Sequence, residues 1–144
     1  VTPNERVQRA VERHATTWQK RLGLGHWEIR HVFLDTFDDD QNADDYKTTA
    51  ITECRWQYLQ AKIKWFLPSA ARHDDLELEK VLVHELVHVL LAPEQSLVDT
   101  AIDHSTASHP YTTADHEALS ARNYELLELS TELVTRALWN AWQR

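Results

Sequence analysis

The stretch Val81–Leu91, VLVHELVHVLL, sets three ionisable side chains, His84, Glu85 and His88, into a run of leucines and valines that reads as a buried helix. Polar groups in such surroundings cost free energy unless a partner satisfies them. On a helix, residues four apart stand one above the other, so His84 and His88 point the same way and can share one ion. Two imidazoles suit Zn²⁺, which in catalytic sites takes three protein ligands and keeps one position open for water. Glu85, one residue past the first histidine, then lies beside that water rather than on the metal, where it can act as general base. Peptide hydrolysis is the reaction this arrangement fits best. From this chain's own frequencies, 9 His and 12 Glu in 144 residues, HExxH arises by chance about once in twenty such sequences, so its context has to add weight.

That context is a capped helix behind a strand-rich region. Asp74 and Asp75 stand where an N-cap and a favourable first-turn charge belong, and Pro93 is a stop signal, which predicts a helix from about 75 to 91. Upstream, Val7, Ala10, Val11, His14, Trp18 and Leu22 recur at helical spacing, predicting a first helix over about 3 to 22 that Gly23 and Gly25 end. In HWEIRHVFL, Trp27, Ile29, His31 and Phe33 alternate onto one side, as in a strand. DTFDDDQNADD follows as an acidic loop, either a solvated connection or a rim that selects basic substrates. The segment TTAITECRWQYLQAKIKWFL is long enough for two strands with a turn near Gln57 to Leu59, giving an antiparallel sheet of three or more strands. Beyond the motif helix, Glu94 to Thr113 reads as a connection with one short helical turn, and Ala114 to Trp142 as a long amphipathic helix.

Composition narrows the class. With 144 residues the chain fits one domain, spanning 1–144, that can bury a real core. A formal charge of -8 repels a phosphate backbone, so nucleic acid is a poor partner. The lone Cys54 excludes an internal disulfide and a thiolate-rich metal site, and points to a reducing, cytoplasmic setting. No stretch approaches the roughly 18 apolar residues of a membrane span, so no membrane partner is expected. The tryptophans and tyrosines read as core and sheet packing.

Taken with LGLGHWEIRHVFLD, WQYLQAKIKWFL, ELEKVLVHELVHVLL and the terminal ELVTRALW, the motif HELVH resembles a minimal HExxH zincin, a gluzincin-like metallopeptidase. The chain is similar to the small metallopeptidases of phage and prophage genomes and, more distantly, to SprT-like domains. The resemblance covers most of the chain in order, and HELVH is its specific part. It implies His84 and His88 as zinc ligands with a third residue to complete the set, and Glu85 as the catalytic residue. Likeness to repressor-cleaving, ImmA-like peptidases would make a regulatory protease of it.

The third ligand is open on the sequence alone. The metzincin positions carry Leu91 and Glu94 in place of glycine and histidine, which removes that subclass, and Glu94 itself could ligate only after a sharp turn at Leu91. Gluzincins take a glutamate from a later helix, and here Glu117, Glu125, Glu128 and Glu132 are available, with Glu117 and Glu128 about three turns apart on one face. ELSTELVTRAL, beginning at Glu128, is similar to the phage proteins, whereas HEALSA around Glu117 resembles larger gluzincins; the resemblance favours Glu128. Against every one of these glutamates stands the apolar stripe Leu119, Leu126, Ser130, Leu133, Val134, Ala137 and Ala141, which lies largely opposite them. SprT-like domains use a loop histidine instead, and His104 and His109 lie within reach. His104, His109, Tyr111 and His116 are also candidates for stabilising an oxyanion.

The sequence therefore predicts an α+β, zincin-like fold: a small antiparallel or mixed sheet packed on an active-site helix, with a long C-terminal helix. The expected activity is zinc-dependent hydrolysis of a peptide or protein. One rival is a non-catalytic binding or assembly protein whose zinc is structural and closed by a fourth protein ligand. Another is a zinc-free helical packing protein, dimeric through Trp139 and Trp142.

Overall fold

A Thr2–Glu5 capping box opens the first helix: Glu5 N–H donates to Thr2 Oγ1 at 3.2 Å and Thr2 N–H to Glu5 Oε2 at 2.9 Å. The computed structural model describes residues 1–36, 48–108 and 113–143, and the side chains of all of these except 105–108. The acidic segment that follows the first strand lies mostly outside the described residues.

The helix, α1 (Pro3–Arg21), buries Val7, Ala10, Val11, Ala15 and Trp18 along one stripe, as their spacing predicts. It ends in a Schellman motif, with Leu24 N–H donating to Gln19 O and Gly23 N–H to Lys20 O. The motif needs a left-handed residue, and Gly23 supplies it at φ +71°.

Three strands follow: β1 (Glu28–Leu34), β2 (Ala50–Arg55) and β3 (Gln60–Phe66), arranged in the order β1-β3-β2. β2 and β3 form an antiparallel hairpin through a 3-10 turn at Trp56–Tyr58 and a left-handed Leu59. β1 pairs with β3 in parallel, Glu28 opposite Gln60 and Leu34 opposite Phe66. The sheet is thus mixed rather than wholly antiparallel: β3 adds to β1 only after the hairpin has reversed the chain, and that long-range pairing leaves no local signature. Register places Ile29, His31 and Phe33, then Ala61, Ile63 and Trp65, then Ala50, Thr52 and Cys54 on one face.

A short helix, α2 (Leu67–Ala70), leads to α3 (Asp75–Ser108), and α4 (Thr113–Trp142) closes the described chain. Asp74 and Glu77 form a second capping box at the start of α3, with bonds of 2.8 and 2.9 Å. Pro93 does not stop this helix as its sequence predicts: it lies inside α3, which carries on through the segment expected to be a connection. A proline forfeits one hydrogen bond and crowds the preceding turn, at a cost of about 3 kcal/mol. Side-chain bonds between α3 and α4 oppose that cost beyond the proline, Asn123 to Asp99 at 3.0 Å and His116 to Asp103 at 2.8 Å.

The chain divides into two compact units, Val1–Leu90 and Leu91–Arg144, with the boundary inside α3 just before Pro93. The first unit holds α1, the sheet, α2 and the apolar part of α3. Leu82, Val83, Leu86, Val87 and Val89 are fully buried there. Because it runs past Pro93, α3 is long and apolar enough, by length and composition, to cross a membrane, and its buried share is concentrated in the first unit. The second unit holds the remainder of α3 and all of α4. Its inward positions are not the stripe expected from sequence: Leu119, Leu126 and Leu133 are exposed, whereas Thr131 and Thr135 are buried. Their hydroxyls donate to the carbonyls of Leu127 and Thr131 at 2.8 and 2.7 Å, so neither is buried unsatisfied.

Candidate metal centre

Between Leu82 and Val89 α3 is buried nearly all round, and only His84 and His88 keep partial exposure. One turn apart on α3, their rings meet edge to face with centroids 4.9 Å apart. The spacing of the motif accounts for this directly, since it places both imidazoles on the single side of α3 that apolar packing leaves open.

The ligand atoms of His84, His88 and Glu128 lie within 4.8 Å of one another, each residue offering one imidazole nitrogen or carboxylate oxygen. Two nitrogens and one carboxylate oxygen form a donor set that suits a divalent transition-metal ion. The His-His-Glu triad is therefore a group able to bind a metal ion.

Among the described residues the other ligand candidates are not part of this group. Glu94 lies on α3 and is exposed, and Glu117 and Glu125 are exposed on α4. Glu132 accepts from Arg136 Nε at 2.9 Å, one turn along the same helix. His104 is exposed on the distal part of α3, and His116 is engaged by Asp103. His109 and Tyr111 lie outside the described residues.

Glu85 is buried, with 6 % of its surface exposed, and points toward the sheet. The Thr52 hydroxyl, on β2, donates to Glu85 Oε2 at 2.5 Å and lies 3.2 Å from the main-chain oxygen of the same residue. Cys54, two residues along the strand on the same face, has its thiol pushed up to about 11, first by burial and then by the charge of Glu85. Glu85 is thus a buried carboxylate held by a strand hydroxyl, one residue along α3 from His84.

Thr52 and Cys54 do not stand out in the sequence as site residues. Their alternation with Ala50 was a usable signal for a shared face, but only the strand order shows that this face meets Glu85. No family model, curated protein or solved structure matches the chain.

Proposed function

We propose that the protein is a zinc-dependent metallopeptidase in which His84, His88 and Glu128 hold the ion and Glu85 is the general base. The observation that carries this reading is the gathering of the three ligand atoms within 4.8 Å, with a buried carboxylate one residue along the helix from His84. When bound, zinc polarises a carbonyl oxygen and lowers the pKa of a water toward about 7. Glu85 takes the proton of the attacking water and delivers it to the amine as the C–N bond breaks, a role typically contributing about 10²- to 10⁴-fold in rate. Among the described residues β2 pairs with β3 alone, and strand addition along β2 is the mode of binding an extended peptide that fits this sheet.

The test combines metal content with turnover. Elemental mass spectrometry on protein purified without a histidine tag is expected to give about one zinc per chain, lost in His88→Ala. Glu85→Gln is expected to keep its zinc and to lose casein hydrolysis by about 100-fold or more. A wild type that takes up no zinc at neutral pH ends the reading. Zinc held without any turnover makes the site structural instead.

A further inference from the structure

We propose that Thr52 is the positioning residue for Glu85, fixing the carboxylate for proton transfer; this rests on the reading of Glu85 as general base. A glutamate has three side-chain torsions, and displacing a reacting group by about 1 Å can cost about 100-fold in rate. Something must hold this one still. Thr52 is suited to do so because its hydroxyl reaches both ends of the same residue, 2.5 Å from Oε2 and 3.2 Å from the main-chain oxygen. The single hydroxyl proton goes to the carboxylate, the stronger acceptor and the closer one. The carboxylate is thereby tied to β2 rather than left to its own rotamers.

Thr52 is itself held. It lies opposite Ile63, which is fully buried, in the antiparallel pairing of β2 with β3. Its β-branch restricts χ1, so the hydroxyl is preset before any substrate arrives. The sheet therefore contributes to the site through a residue that need touch neither metal nor substrate.

Substitution separates this role from simple satisfaction of a buried carboxylate. Thr52→Val keeps the shape and removes the donor, Thr52→Ser keeps the donor and removes the methyl, and Thr52→Val in a Glu85→Gln background removes both partners. Each is loaded with cobalt(II), and visible absorption, metal stoichiometry and casein kinetics are measured. About one metal per chain is expected throughout. Thr52→Val should lower kcat about 100-fold with KM within about 2-fold, and should shift the cobalt bands. Thr52→Ser should stay within about 3-fold of wild type with wild-type bands, and Thr52→Val should add nothing once Glu85 is glutamine.

Wild-type kcat and bands in Thr52→Val overturn the inference, as does an equal loss in Thr52→Ser or a further loss in the Glu85→Gln background. If the valine variant does not fold, Thr52→Ala takes its place in every comparison. If the wild type binds cobalt but leaves casein intact, the peptidase reading falls alone. The cobalt bands then judge Thr52: a shift that disappears in the Glu85→Gln background supports the inference, and superimposable bands overturn it. A wild type that takes up no cobalt overturns both.

Discussion

Trp65 donates its indole N–H to Nδ1 of His31 at 3.1 Å, across the parallel pairing of β3 with β1. The imidazole that accepts at Nδ1 is neutral and carries its proton on Nε2. Burial lowers its pKa from 6.5 to about 4. Between those values the unfolded chain binds a proton that the folded chain does not, so this group's contribution to stability is complete above pH 6.5 and is lost as the pH falls toward 4. The loss should reach about 3 kcal/mol, with a slope of up to about 1.4 kcal/mol per pH unit. In His31→Gln the amide oxygen can still accept from Trp65 but does not titrate. Urea denaturation at a series of pH values should show the wild-type curve falling away from the variant's across this window, and parallel curves would contradict the assignment.

Cys54 provides a chemical report on Glu85. With its thiol raised to about 11, it holds little thiolate at pH 8, and it should react with iodoacetamide on the order of a hundredfold more slowly in the folded protein than in denaturant. Part of that protection is electrostatic. Glu85→Gln should therefore speed alkylation of the folded protein, while a substitution of the exposed Glu117 should not. Equal rates in both variants would mean that burial alone protects the thiol.

Much of the first unit is legible because its local signals agree with its tertiary structure. The stripe from Val7 to Trp18, the cap at Asp74 and the alternation of Ile29, His31 and Phe33 all describe what each segment does by itself. His84 and His88 are legible for the same reason, because helical spacing alone stacks them. What escapes the sequence is set at long range. The parallel pairing of β1 with β3 depends on a strand inserted elsewhere in the order, and Thr52 enters the site only through that order. The orientation of α4 escapes for another reason: hydropathy favours Leu119, Leu126 and Leu133 as its inner face, but threonines can be buried when they bond back to the preceding turn, as Thr131 and Thr135 do.

The bond from Trp18 Nε1 to Glu79 Oε1, at 2.7 Å, joins α1 to α3 at a fully buried indole, and His14 Nδ1 lies 3.4 Å from the same oxygen. Removing the acceptor leaves a buried donor unsatisfied, at a cost of about 1–3 kcal/mol. Glu79→Ala should therefore lower stability by that amount, and Trp18→Phe, which removes the donor too, should abolish most of the further effect of Glu79→Ala. Thermal unfolding of the four members of the cycle measures this directly. Additive losses would show that the two groups act independently.

Glu128 is distinguished from the other glutamates of α4 by company rather than by spacing. Its carboxylate belongs with His84 and His88, whereas Glu117 is exposed and Glu132 is paired to Arg136. Glu128→Gln removes the charge and one strong donor from a three-ligand set, and should weaken zinc by more than about 100-fold, the upper end of what outer-shell partners cost. Glu117→Gln and Glu132→Gln should bind as tightly as wild type. Competition with a chromophoric chelator at fixed pH gives the three affinities, and fixed pH matters because the histidine ligands must be deprotonated to bind. Loss of zinc in Glu117→Gln or Glu132→Gln, with Glu128→Gln unaffected, would move the third ligand; loss in His88→Ala alone would leave the ion held by the two histidines without a carboxylate from α4.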